Sequence, residues 1–92
     1  MKETLTCFII EDEPLAQEML ENYISKVSFL ELKGVFMNAM EAVKPIKSEK
    51  PDILFLDINM PYMDGMSFIP MLNPKPSIIL TVNMLLKPLS WK

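Results

Sequence analysis

Along the chain, continuous apolar runs alternate with segments whose apolar residues recur every three or four positions. The run Thr4–Ile10 is rich in β-branched and aromatic residues and predicts a first strand. It stops at three acids, Glu11-Asp12-Glu13. Pro14 suits the first turn of a helix, and Leu15, Ala16, Met19, Leu20, Tyr23, Ile24 and Val27 continue one apolar stripe, so a helix should end near Lys26. Phe29–Phe36 reads as a second strand, interrupted by Lys33 and Gly34. Asn38-Ala39-Met40-Glu41 has the form of a capping box opening a short helix, which Pro45 is expected to kink or end before a polar loop from Lys47 to Pro51.

Ile53–Leu56 is apolar without alternation, the pattern of a strand covered on both faces, and it ends at Asp57. Asp64 can cap a third helix reaching Met71, weakened by Pro70; Ser77–Thr81 is a fourth strand, and Met84-Leu85-Leu86 a fifth, closed by Lys87-Pro88. Strands separated by helices predict βαβ units and therefore an α/β fold, a doubly wound parallel sheet of five strands.

One junction breaks the pattern. Successive parallel strands need a crossover of roughly a dozen residues, yet only Val82 and Asn83 separate Thr81 from Met84. The last strand could turn back as a hairpin, or lie outside the sheet, or a segment could be missing between Thr81 and Val82. Val82-Asn83 lacks the glycine of a tight hairpin, so the missing crossover is the favoured expectation. The 92 residues then form a single incomplete domain, without the helix between strands four and five, the last helix or any output domain.

Composition narrows the chemistry. Half the residues are hydrophobic and 23% are charged, as in ordinary globular domains. Nine lysines, no arginine and twelve acids give a net charge of −3, which argues against a nucleic-acid surface. With no histidine, Ser-His-Asp and Cys-His catalysis and a His-rich zinc site are excluded. A lone Cys7 excludes an internal disulfide, fits a reducing cytoplasm, and reads as a small core residue. Nothing at the start resembles a signal peptide, and no apolar stretch approaches the ~20 residues of a membrane span, so no membrane partner is expected. Nine methionines, three of them (Met60, Met63, Met66) near Asp57, read as packing rather than copper chemistry.

Glu11 and Asp12 finish the first strand and Asp57 the third. Ligands of open parallel sheets bind outside the C-terminal strand ends. If these two strands are neighbours, three carboxylates converge, and an oxygen-only set favours a hard cation, Mg²⁺ before Ca²⁺ or Mn²⁺. The alternative is that each acid only ends a strand or caps a helix.

Three stretches carry a resemblance. Phe55-Leu56-Asp57-Ile58-Asn59-Met60-Pro61-Tyr62-Met63-Asp64-Gly65 resembles the phosphoacceptor loop of response-regulator receiver domains. Cys7–Ala16 resembles the acidic first turn of that family, and Leu85-Leu86-Lys87-Pro88 its lysine-proline signature, so the likeness runs from about Thr4 to Lys92. It implies a CheY-like sheet of strand order 2-1-3-4-5, with Asp57 accepting phosphate from a sensor histidine kinase. Asp12, Asp57 and the backbone carbonyl of Asn59 would ligate Mg²⁺, with Glu11 acting through water. Thr81 would be the switch hydroxyl and Lys87 the lysine that pairs with the phosphoryl oxygens.

The resemblance further implies a cytoplasmic signalling module rather than an enzyme, capable of forming a homodimer. The wording around Glu13–Ala16 and Asp57–Pro61 is similar to receivers joined to LytTR-type DNA-binding domains, so DNA would be met only through an output domain outside these residues. Two other readings remain: a receiver used solely as a scaffold, and a Mg²⁺-dependent phosphatase with an aspartyl nucleophile. The phosphatase class would want an aspartate where Asn59 stands.

Overall fold

The computed structural model describes residues 3–57, 70 and 72–81. Four parallel strands, β1 (Leu5–Ile10), β2 (Leu30–Phe36), β3 (Ile53–Asp57) and β4 (Ser77–Thr81), form one sheet in the order β2-β1-β3-β4. Helices α1 (Pro14–Ser25) and α2 (Ala39–Glu49) make the first two crossovers. The doubly wound α/β architecture expected from the alternating pattern is therefore present. The helix expected over Asp64–Met71, the fifth strand at Met84–Leu86 and the Val82 side of the short junction lie outside the described residues.

Alternation along the strands divides the core in two. Phe8 and Ile10 of β1 pack with Leu54 and Leu56 of β3 beneath Ala39, Ala42 and Ile46 of α2. Cys7 and Ile9 pack with Ile53 and with Ile24 of α1 on the other face. Residues 7 to 10 are completely buried, because β1 has a strand on each side and a helix on each face. At the sheet's edge β4 is less covered: Ile78, Ile79 and Leu80 are exposed, although the run is as apolar as β3.

The break at Lys33-Gly34 is a bulge. Cys7 pairs with Leu32 but Phe8 with Gly34, so β2 carries one extra residue. That residue shifts the alternation, so Leu30, Leu32 and Val35 reach the α1 side while Phe36 packs on the α2 side. A β-carbon on Gly34 would stand 2.8 Å from the Phe36 ring, itself set edge-on to Phe8 at 5.0 Å between centroids. Glycine is what lets Phe36 lie there.

Two expectations about the helices need correction. Pro45 does not end α2, which continues to Glu49 and shortens the expected polar loop. An interior proline costs ~3 kcal/mol, but its neighbour Ile46 and Ala42 are both buried, and burying an aliphatic side chain of that size returns about 1.5–3 kcal/mol. Asn38 caps the helix as expected, its Oδ1 accepting from the Glu41 N–H at 2.9 Å; the Glu41 carboxylate, however, accepts from Met37 N–H rather than from Asn38. In α1 the apolar stripe is narrower than its spacing suggested. Ala16 and Ile24 are buried and Leu20 packs on the core, whereas Leu15 and Tyr23 are exposed.

Thr6 and Asp52 fasten the N-terminal ends of β1 and β3. Asp52 Oδ2 accepts from Thr6 N at 2.8 Å and from Thr6 Oγ1 at 3.2 Å, and Asp52 N donates to Thr6 O at 2.9 Å. The Asp52 carbonyl then accepts from Ser77 N at 2.8 Å, which starts β4. Asp52→Ala should cost about 1–3 kcal/mol by leaving the Thr6 N–H without its acceptor. Urea unfolding would register this as a lower midpoint at unchanged slope, and Asp52→Asn should lose less.

Cys7 behaves as the core residue its position suggested. Burial pushes its thiol pKa up, so the thiolate is scarce at neutral pH. Iodoacetamide at pH 8 should alkylate the folded protein far more slowly than the urea-unfolded chain; equal rates would contradict this packing.

Candidate functional site

The β1–β3 register decides where the acids fall. Ile10 pairs with Leu56, so the next residue on each strand, Glu11 and Asp57, comes to the same edge of the sheet. Glu11 is 1% and Asp57 0% exposed, and Asp12 is half-buried. One carboxylate oxygen from each of the three lies within 4.8 Å of the others. The convergence expected from the sequence is thus present.

Backbone contacts hold this turn in place. Glu11 N donates to Phe36 O at 2.9 Å, extending the pairing with β2 beyond Ile10. Glu13 N donates to Glu11 Oε2 at 2.9 Å, folding the Glu11 side chain back over the turn. Glu13 is also the N-cap of α1, where its own side chain makes no capping bond. Gln17 Nε2 donates to the Glu11 carbonyl at 2.6 Å. The sequence did not single out Gln17, since an amide in a first helical turn carries no signal of a partner six residues back.

The geometry limits the chemistry. Two like charges 4 Å apart repel by about 4 kcal/mol at an effective dielectric of 20, and burial strengthens such terms. A bound cation offsets the repulsion. The donors are all oxygen, as Mg²⁺ and Ca²⁺ prefer, and oxygens on opposite sides of Mg²⁺ stand ~4 Å apart. A separation of up to 4.8 Å therefore fits a divalent ion, with room for one acid to act through water.

Asp57 pairs with Thr81 across β3 and β4. Adjacent parallel strands run about 4.8 Å apart with paired side chains on one face, so the half-buried Thr81 stands beside Asp57. Four of the expected site residues, Glu11, Asp12, Asp57 and Thr81, are brought together in this way. Asn59 and Lys87 lie outside the described residues. A cavity of about 220 Å³ lined by Ile46, Lys47, Pro51 and Leu72, among others, opens at the opposite end of the strands and touches none of these acids.

Known proteins are similar to this chain in sequence and in fold. The family model for the response regulator receiver domain matches residues 7–86. An uncharacterised response regulatory protein of Shewanella oneidensis is 44% identical over 70 residues, which are 76% of this chain and 30% of that protein. The transcriptional regulatory protein BtsR of Escherichia coli is 40% identical over 67 residues, 73% of this chain and 28% of its own length. The chain thus spans about 30% of the length of the curated relatives it matches. Among solved structures, the response regulatory domain of protein mrkE from Klebsiella pneumoniae aligns with a TM-score of 0.74 at 33% identity, covering 85% of this chain and 66% of that one. The isolated REC domain of RcsB from Salmonella enterica aligns with a TM-score of 0.76 over 92% of this chain and 65% of that one; at 18% identity it is alike in fold alone.

Proposed function

The chain belongs to the response regulator receiver domain family, and on that premise we propose that it takes a phosphoryl group onto Asp57 from the phosphohistidine of a sensor histidine kinase, in a Mg²⁺-dependent transfer that switches an output surface. The observation that carries this reading is the gathering of Glu11, Asp12 and Asp57 within 4.8 Å at one strand edge.

In the transfer, an Asp57 carboxylate oxygen bonds to phosphorus as the phosphorus–nitrogen bond of the donor breaks. Asp12, Asp57 and, by the family resemblance, the Asn59 carbonyl would hold Mg²⁺, with Glu11 acting through water. When bound, the ion supplies positive charge to the transferring oxygens. Lys87 would pair with the phosphoryl oxygens. The roles of Asn59 and Lys87 rest on the family resemblance, and that of Thr81 also on its register beside Asp57. Its hydroxyl donates to the new phosphate, and turning inward is the local event that the rest of the domain reads.

The same reading extends to the longer protein. The 92 residues are read as one receiver in which a crossover is missing between Thr81 and Val82. The wording around Glu13–Ala16 and Asp57–Pro61 supports the reading of a receiver of the kind joined to a LytTR-type DNA-binding domain, with DNA contacted through that domain only. The receiver is a stoichiometric acceptor rather than an enzyme, and phosphorylation can bring two copies together. Among the described residues no helix is long and apolar enough to cross a membrane; the kinase donor makes the cytoplasm the working compartment.

Intact-mass spectrometry after incubation with Mg²⁺ and a small acyl phosphate should show one added phosphoryl group, absent in Asp57→Asn. An unmodified wild type would leave the scaffold reading in its place. Mg²⁺ at a hundredfold excess over its Kd should stabilise the fold by about 2.7 kcal/mol, seen as a rise in Tm. Asp12→Ala should abolish that rise, and a rise of equal size in Asp12→Ala would remove Asp12 from the ion site.

A further inference from the structure

Two of the three converging acids, Glu11 and Asp12, come from one short turn that leads into α1. Glu13 caps α1 without a side-chain bond, and the Glu11 carboxylate reaches back to Glu13 N. Gln17 grips the turn at two points: its backbone N–H bonds to Glu13 O at 3.0 Å, and its side-chain amide to Glu11 O at 2.6 Å. The first contact is ordinary helix. The second is not helix capping, because the groups left over at a helix N-terminus are N–H donors, whereas Gln17 Nε2 donates to a carbonyl that precedes the helix. Its effect is to fix the peptide joining Glu11 to Asp12, the peptide from which both carboxylates diverge.

We propose that Gln17 is a positioning residue for the cation site, holding the Glu11–Asp12 peptide so that both side chains face Asp57. The assignment rests on the Mg²⁺ reading above. Gln17 need not touch the ion: its hydrogen bond restricts the turn before the ion arrives, so less ordering is left to binding.

Gln17→Met keeps the stem and removes the donor; Gln17→Glu keeps the reach and also cannot donate. Isothermal titration of the full chain with Mg²⁺ should show Kd raised about five- to tenfold in Gln17→Met, the worth of one hydrogen bond. Its Tm in EDTA should stay close to wild type, and Gln17→Glu should bind at least as weakly. Acyl-phosphate labelling of Gln17→Met should be slow at low Mg²⁺ and recover at saturating Mg²⁺, because the acceptor itself is intact. In wild type, the Gln17 side-chain NH₂ signal in ¹⁵N spectra should shift with the same Mg²⁺ midpoint as the Asp12 amide, a readout independent of whether either variant folds. A folded Gln17→Met with wild-type Mg²⁺ affinity, or a Gln17 signal unmoved by Mg²⁺, overturns the proposal. Wild-type protein that binds no Mg²⁺ overturns it together with the reading beneath it, an outcome distinguished by appearing before any substitution is made.

Discussion

Everything in this molecule depends on the register of β1 against β3. Four parallel pairs, Cys7 with Ile53 through Ile10 with Leu56, set which side chains share a face. A slip of one residue would reverse every facing, sending Phe8 and Ile10 toward α1 and carrying Glu11 away from Asp57. The Thr6–Asp52 contacts hold the register at one end, and the completely buried residues 7 to 10 hold it along its length. The acids lie at the far end of a pairing that is already determined, so apolar packing and hydrogen bonds, rather than the charges, decide where the charges meet.

The same alternation explains what could be read from the sequence. Ile53–Leu56 has no polar position, and it is a strand buried on both faces; Ser77–Thr81 is a strand over the expected residues, while an apolar run does not by itself tell how far its side chains are exposed. Lys33-Gly34 looked like a weakness in β2 and is a bulge, visible only once Leu32 and Gly34 are matched to consecutive residues of β1. Pro45 is a helix breaker by local chemistry alone, and the burial of Ala42 and Ile46 on the same helix, which carries α2 through it, is a tertiary effect. At the site, Glu11, Asp12 and Asp57 were legible since acids ending apolar strands break the pattern so sharply. Gln17 was not, because its partner is a backbone carbonyl and carbonyls leave no mark in a sequence.

The absence of histidine takes on a definite sense beside this site. On the proposed reading, these 92 residues, which hold no histidine, can serve a histidine-to-aspartate transfer only on the aspartate side. Within the chain, the chemistry then falls to oxygen donors and lysine, the groups its composition supplies.

The central place of β1 also bears on how the chain is made. β1 pairs on one side with β2 and on the other with β3, whose last residue is Asp57, and both partners follow it in the chain. Until residue 57 has been synthesised and released, one edge of the most buried strand in the protein has no neighbour, and the apolar surface for which α2 is the cover is only half built. Vectorial synthesis therefore delivers a nascent chain whose first strand must wait, its exposed edge the kind of surface that chaperones guard. The pairing that ends the wait also joins the three acids, so closure of the sheet and convergence of the carboxylates are one event.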